Sequence, residues 1–225
     1  MRKYKNLKHP KKEFKENNNN SKVVLPLVAG AFVGNLIFPG VGGVLAGSII
    51  GGLTGISSNN KDKKMAKVPV FYSFHFGNDV MRVQQIRNIG SIEGNAPTTP
   101  NEWETLKRTG KKAVENWIDQ NMKYKRCIIV LIGSETADRP WVEHEIIKAW
   151  NDGKALLGIH IHNLKCPRNG TSRKGKNPFD QIKFESGKKL SEFVPCYDPS
   201  SINAYGEIAE NMSNWISHAI SNKAN

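Results

Sequence analysis

The stretch RCIIVLIGS, residues 126–134, is an unbroken apolar run that stops at Gly-Ser. A strand with one face in water would alternate apolar and polar residues. This one does not, so it reads as a strand buried on both faces. The stretch after it, RPWVEHEIIKAWNDG (139–153), places Val142, Ile146, Ala149 and Trp150 on one face at helical spacing, and Gly153 is its stop. The stretch before it, WETLKRTGKKAVENWIDQNM (103–122), has Trp103, Leu106, Val114, Trp117 and Ile118 at helical spacing, with Gly110 a weak point.

The same grammar continues in both directions. KVPVFYSFHF (67–76) is rich in β-branched and aromatic residues and reads as a strand, and NDVMRVQQIRNIG (78–90) as a helix. SIEGNAPTTP (91–100) is a turn-rich loop. KALLGIHIHNL (154–164) is a second buried strand, followed by a long loop to about Lys189. EFVPCY (192–197) reads as a short last strand and SINAYGEIAENMSNWISHAI (201–220) as a closing amphipathic helix. Strands alternating with helices imply an α/β fold with a parallel sheet covered on both faces. Ligands in such folds bind beyond the carboxyl ends of the strands.

The chain has 225 residues, room for this domain, assigned to residues 65–225, and a substantial extra segment. Its formal charge is +13, from 33 Lys and Arg against 20 Asp and Glu, a balance that favours anionic lipid, nucleic acid or phosphorylated ligands. The opening residues 1–22 are basic, Asn-rich and nearly free of apolar side chains, so they read as disordered. Sparse aromatics argue against specific nucleic-acid binding by this arm. Cys127, Cys166 and Cys196 form no close pair and no CxxC, which argues against a disulfide framework or a zinc site and for a reducing compartment.

Residues 23–60, VVLPLVAGAFVGNLIFPGVGGVLAGSIIGGLTGISSNN, contain no Asp, Glu, Lys, Arg or His. Such a run is a candidate for insertion into lipid. Asn35, Pro39 and Gly40 interrupt it midway, and Gly43, Gly47, Gly51 and Gly55 share one helix face, a groove that admits a second helix closely. Lys11, Lys12, Lys15 and Lys22 precede the run, and Lys61, Lys63, Lys64 and Lys67 follow it. Charge bias then puts both flanks in the cytoplasm, as a helical hairpin at the cell membrane requires, with lipid contact through residues 23–56 and self-association through the glycines. The run is too long and starts too late for a signal peptide.

At the carboxyl ends of the strands lie Ser73, Phe74 and His75; Gly133, Ser134 and Glu135; and His160, His162 and Asn163. No GxGxxG, GxxxxGK[ST] or GxSxG occurs in the corresponding places, which weakens dinucleotide-fold, P-loop and serine-hydrolase readings. His160 and His162 share one strand face, but no third carboxylate or cysteine ligand is evident nearby, so no metal site is assigned. Cys127 and the tryptophans Trp103, Trp117, Trp150 and Trp215 read as core. Two glutamates flank the apolar face of the 139–153 helix: Glu145, beside Trp141, on one border and Glu143, beside Ile147, on the other. Either could simply be an acid favoured near a helix amino terminus. The helical wheel does not decide which border faces the cleft.

The segments VFYSFHFGNDVMRVQQIRN, CIIVLIGSETADRPWVEHEI, LLGIHIHNLK and KNPF together resemble the TIR-like domain of ThsB proteins in Thoeris antiphage defence, over roughly residues 67–220. The resemblance implies a flavodoxin-like fold and cleavage of the nicotinamide–ribose bond of NAD+, a substrate rather than a cofactor. It further implies a cyclic ADP-ribose-type signal received by a downstream effector protein. In catalytic TIR domains the essential glutamate lies four residues after a tryptophan, which here selects Glu145 after Trp141. Phe74, His75, Ser134 and Trp141 are then the substrate-binding candidates. His75 stands where many TIR enzymes carry Arg, and SIEGNAPTTP lacks the usual BB-loop motif. The competing reading is a noncatalytic TIR-like sensor or adaptor whose Gly-rich segment is itself the effector.

Overall fold

A computed structural model describes residues 2–3, 7–10, 68–89, 92–93 and 100–223. In chain order the strands and α-helices are β1 (Arg2–Lys3), β2 (Val68–Phe74), α1 (Phe76–Arg87), β3 (Ile92–Glu93), α2 (Pro100–Arg108), α3 (Lys111–Met122) and β4 (Cys127–Ile132). They continue with α4 (Pro140–Asn151), β5 (Ala155–His160), β6 (Ile182–Lys183), β7 (Cys196–Tyr197) and α5 (Ala204–Ser221). Short 3-10 turns occupy Thr136–Asp138, Pro178–Gln181 and Leu190–Glu192.

Five strands form one parallel sheet in the order β3-β2-β4-β5-β7. This is the flavodoxin-like α/β arrangement expected from the alternation of apolar runs and amphipathic helices. The central strand explains why CIIVLI does not alternate. Ile128, Val130 and Ile132 pack with α3 and α4 on one face, in a cluster with Phe71, Ile118 and Ile146. Cys127, Ile129 and Leu131 pack with α1 and α5 on the other, in a cluster with Ile86, Ile208 and Met212. Water reaches neither side, so no polar residue is tolerated at any position. The chain runs from β2 outward to β3 on one side and then, from β4, outward to β5 and β7 on the other. The reversal lies between β2 and β4, and a crevice opens beyond their carboxyl ends.

The helical spacing of α4 is realised as read: Val142, Ile146, Ala149 and Trp150 are buried, with Glu145 beside them. The single helix expected over 103–122 is two. Gly110, at φ 103°, takes a backbone conformation that side chains disfavour and separates α2 from α3. The loop expected over 165–189 carries Phe179, Ile182 and Phe184, all essentially inaccessible, so much of it is core wall rather than surface. SIEGNAPTTP contributes the edge strand β3 through Ile92 and Glu93.

The opening arm also differs from its expected disorder where it is described. β1 pairs in parallel with β6, Leu7 is buried in the α3–α4 core cluster, and the Trp150 indole N–H donates to the Lys8 carbonyl at 2.8 Å. A basic composition hid one leucine that finds an apolar socket. The hydrophobic hairpin read over residues 23–60 lies outside the described residues. Among the described residues no helix is long and apolar enough to cross a membrane.

Candidate active site

Residue alternation in β2 sends Val70 and Tyr72 to the α1–α5 face and Phe71 to the α3–α4 face. Ser73, two residues after Phe71, meets α4, and its hydroxyl donates to Glu145 Oε2 at 2.5 Å. Pro140 starts α4 at a position where a missing N–H costs nothing, so the helix begins abruptly and brings Trp141 and Glu145 under the end of β2. Glu145 is only 6% exposed. Burial raises its pKa from 4.5 to about 8, although the Ser73 hydrogen bond pulls the other way. An acid buried with one neutral donor and, among the described residues, no cationic partner in hydrogen-bond reach is costly for stability, a pattern typical of functional sites.

The acid lies in a small cavity of about 40 Å³, walled by Tyr72, Phe74, Phe76, Arg87, Trp103 and Trp141. Phe74 stacks on Phe76 at 5.5 Å, Phe76 on Trp103 at 6.3 Å, and Trp103 meets Trp117 edge-on at 5.9 Å. The Arg87 guanidinium lies 5.8 Å from the centre of the Tyr72 ring. Burial pushes the Tyr72 phenol up to about 12 and holds the Arg87 pKa below its ordinary value.

Outside the aromatic wall is a cleft of about 580 Å³, the size that holds a small-molecule ligand. It shares Phe74, Phe76, Trp103, Trp141 and Val142 with the inner cavity and adds His75, Lys107, Arg139, Cys166, Arg168 and Asn169. A flat ring could stack on this wall. Glu104 also lines the cleft and pairs with Lys107, and Arg139 pairs with Glu135, so a phosphorylated ligand would compete with carboxylates for two of the three cations. His75 Nδ1 lies 3.8 Å from Glu135, which is also paired with Arg139. Burial, reinforced by Arg139, lowers the His75 pKa and favours the neutral ring.

The structure therefore brings Phe74, His75 and Trp141 together at the cleft with Glu145 behind them. Ser134 is placed elsewhere. It sits in the turn after β4, packed against the 165–176 segment so closely that a Cβ on Gly175 would lie 1.9 Å from the Gly133 carbonyl oxygen. Glu143 faces a separate groove with Asp138, Arg139 and Lys176. Ser73 and Trp103 carry more of the site than the sequence suggested, since Trp103 reads as core and Ser73 only as a strand-end residue. Cys127 is buried as expected, its thiol pushed up to about 12 by desolvation, and all three cysteines are free. The expectation that the His160–His162 pair lacks a third potential ligand is corrected, because the turn after β7 brings Asp198 to it.

Residues 71–166 match the family model for the TIR-like domain of the Thoeris protein ThsB. The chain is also 33% identical over 129 residues to a Bacillus cereus (strain MSX-D12) protein provisionally named cyclic ADP-D-ribose synthase ThsB1. That alignment covers 54% of this chain and 67% of the relative.

Proposed function

Because the chain belongs to the TIR-like domain family of the Thoeris protein ThsB, we propose that it cleaves NAD+ and releases a cyclic ADP-ribose-type signal in antiphage immunity. The observation that carries this reading is the buried Glu145 four residues after Trp141, held by Ser73 behind an aromatic wall. The relative's name points to the same chemistry.

In this reaction the bond between ribose C1′ and the pyridinium nitrogen breaks. Nicotinamide leaves as a neutral molecule with the electron pair, so no general acid is required. Positive charge builds on the ribose, as in glycoside hydrolysis. Glu145 as a carboxylate stabilises that charge, and a preorganised contact of this kind is worth most where water is excluded. A ring nitrogen of the same molecule's adenine then forms the new bond to C1′ and a proton is released. Attack by water instead gives ADP-ribose. In the free protein, burial favours protonated Glu145. Approach of the cationic pyridinium favours its ionised form, since an opposite charge within a few ångströms lowers an acid's pKa. Phe74, Phe76 and Trp103 stack the planar rings, while Lys107, Arg139 and Arg168 face the pyrophosphate. The Glu145 carboxyl must be reached past the aromatic wall, so substrate entry displaces at least one of Phe76, Trp103 and Trp141.

Incubating the full-length chain with NAD+ and resolving nicotinamide, cyclic and linear products by mass spectrometry tests the reading. Release of nicotinamide that Glu145→Gln abolishes supports it. No turnover by the intact protein, with or without phage-infected lysate, sinks it and leaves the adaptor reading.

The membrane assignment is part of the same proposal. Residues 23–56 hold the protein on lipid with both flanks and the TIR-like domain in the cytoplasm, self-association runs through the glycine face, and the product acts on a separate effector. Support comes from the uncharged run and its basic borders. Carbonate extraction with protease protection tests it, and quantitative release into the soluble fraction overturns it. Gly47→Leu with Gly51→Leu should lower crosslinking yield in the bilayer.

A further inference from the structure

The GIHIHN stretch takes no part in the NAD+ chemistry above, yet its two imidazoles project beyond the carboxyl end of β5 at a distinct polar cluster. β7 pairs in parallel with β5, Gly158 opposite Cys196 and Ile159 opposite Tyr197. Continuing that register by one residue sets Asp198 beside His160. One potential ligand atom from each of His160, His162 and Asp198 falls within 4.8 Å of the other two. His162 Nδ1 lies 3.8 Å from Asp198 Oδ1. The other carboxylate oxygen, Oδ2, accepts from Lys174 Nζ at 2.6 Å. The Asn163 amide donates to the Pro199 carbonyl at 2.8 Å and ties the two strand-end turns together.

A second observation points to a ligand. His160 is only 6% exposed, and Nδ1 of both His160 and His162 is buried without a hydrogen-bond partner among the described residues. Orphaned polar atoms inside a protein are costly, and here two belong to histidines that share one cluster with the Asp198 carboxylate.

We propose that His160, His162 and Asp198 form a binding site for a divalent transition-metal ion of the zinc class. Two imidazoles and one carboxylate are a borderline donor set that suits zinc and its first-row neighbours, whereas magnesium and calcium require oxygen ligands. Three protein ligands leave a coordination position open. Imidazole must be neutral and carboxylate ionised to bind. Lys174 on Oδ2 leaves Oδ1 turned toward His162, so the lysine orients the carboxylate rather than filling the ligand position. The ion would clip the end of β5 to the turn between β7 and α5. This site stands whether or not NAD+ is the substrate.

The test uses tag-free, full-length protein stripped with chelator and titrated with Zn²⁺ in a calorimeter. It should take up about one equivalent. His162→Gln and Asp198→Asn, chosen because both positions are more exposed than His160, should retain the parent circular dichroism. Each should weaken binding by more than the roughly 10–100-fold that losing a supporting residue costs. Co²⁺ should give visible absorption bands that both variants lose. Absence of zinc uptake at micromolar concentration, or a loss confined to one of the two variants, overturns the three-residue site. So does uptake of unchanged strength in both.

Discussion

Two regions at the same end of one sheet solve opposite problems. Beyond β2, Glu145 lies in a small aromatic-walled cavity, with a neutral hydroxyl as its hydrogen-bond donor and its pKa raised by burial. Beyond β5 and β7, His160, His162 and Asp198 gather at a partly open rim, where Lys174 holds one oxygen of the carboxylate and the other turns toward His162. Only β4 separates the two. The first arrangement keeps a charge latent until a cation arrives; the second keeps lone pairs available at all times. Parallel sheets place many side chains at one edge, and what decides their chemistry is which neighbours close over them.

The comparison can be broken most sharply at Glu145. Glu145→Gln should cut NAD+ turnover by roughly 10²–10³, about 3–4 kcal/mol of transition-state stabilisation, in an assay of nicotinamide release. Normal turnover would mean that the latent charge is not used. The same group should set how stability depends on pH. Its folded pKa of about 8 exceeds the ordinary 4.5, so between those values the folded state holds a proton that the unfolded chain has released. Stability should be full below pH 4.5 and fall by several kcal/mol as pH rises toward 8 and beyond. Glu145→Gln should flatten that slope, melting higher than the parent at pH 9 and close to it at pH 5. Parallel melting curves for the two proteins across this range would contradict the buried, protonated acid.

A smaller effect is expected from Ser73→Ala. Losing the hydroxyl removes a hydrogen bond that favours the carboxylate, so turnover at neutral pH should drop about tenfold and recover partly as pH rises. A uniform loss at every pH would show that Ser73 acts only through packing. The smallest effect belongs to Glu143→Gln, on the other border of the helix. Turnover should stay within a few-fold of the parent, with a stability change of about 0.3–1 kcal/mol in thermal melts. Equal damage from Glu143→Gln and Glu145→Gln would erase the distinction between the borders.

Much of the frame was legible because short-range rules governed it. CIIVLI read as doubly buried from its composition alone, and Val142, Ile146, Ala149 and Trp150 declared the packed face of α4 by spacing. The choice between Glu143 and Glu145 was not available from the helix, because it depends on Ser73 arriving from β2. The family resemblance supplied the choice that periodicity could not. Asp198 was equally invisible beside GIHIHN, since only the β5–β7 register unites them. Leu7 and Phe179 were missed for a related reason: each lies in a polar, loop-like stretch, and its burial depends on a socket built by distant elements. Ser134 shows the converse, a strand-end residue absent from the cleft lining, in a turn whose backbone the segment after β5 approaches closely.

The docking of residues 7–10 has a mechanical meaning. The Lys8 amide donates to Asn151 Oδ1 at 3.0 Å, and Trp150 donates back to the Lys8 carbonyl, so the early chain is moored at the last turn of α4. The chain next enters the described fold at Val68, the first residue of β2. The described residues on either side of the intervening stretch are thus held by the site's own framework, one set by the helix that carries Glu145 and the other in the strand that carries Ser73. Those two elements meet at the hydrogen bond from Ser73 to Glu145, so each carries one member of the pair on which the candidate site depends.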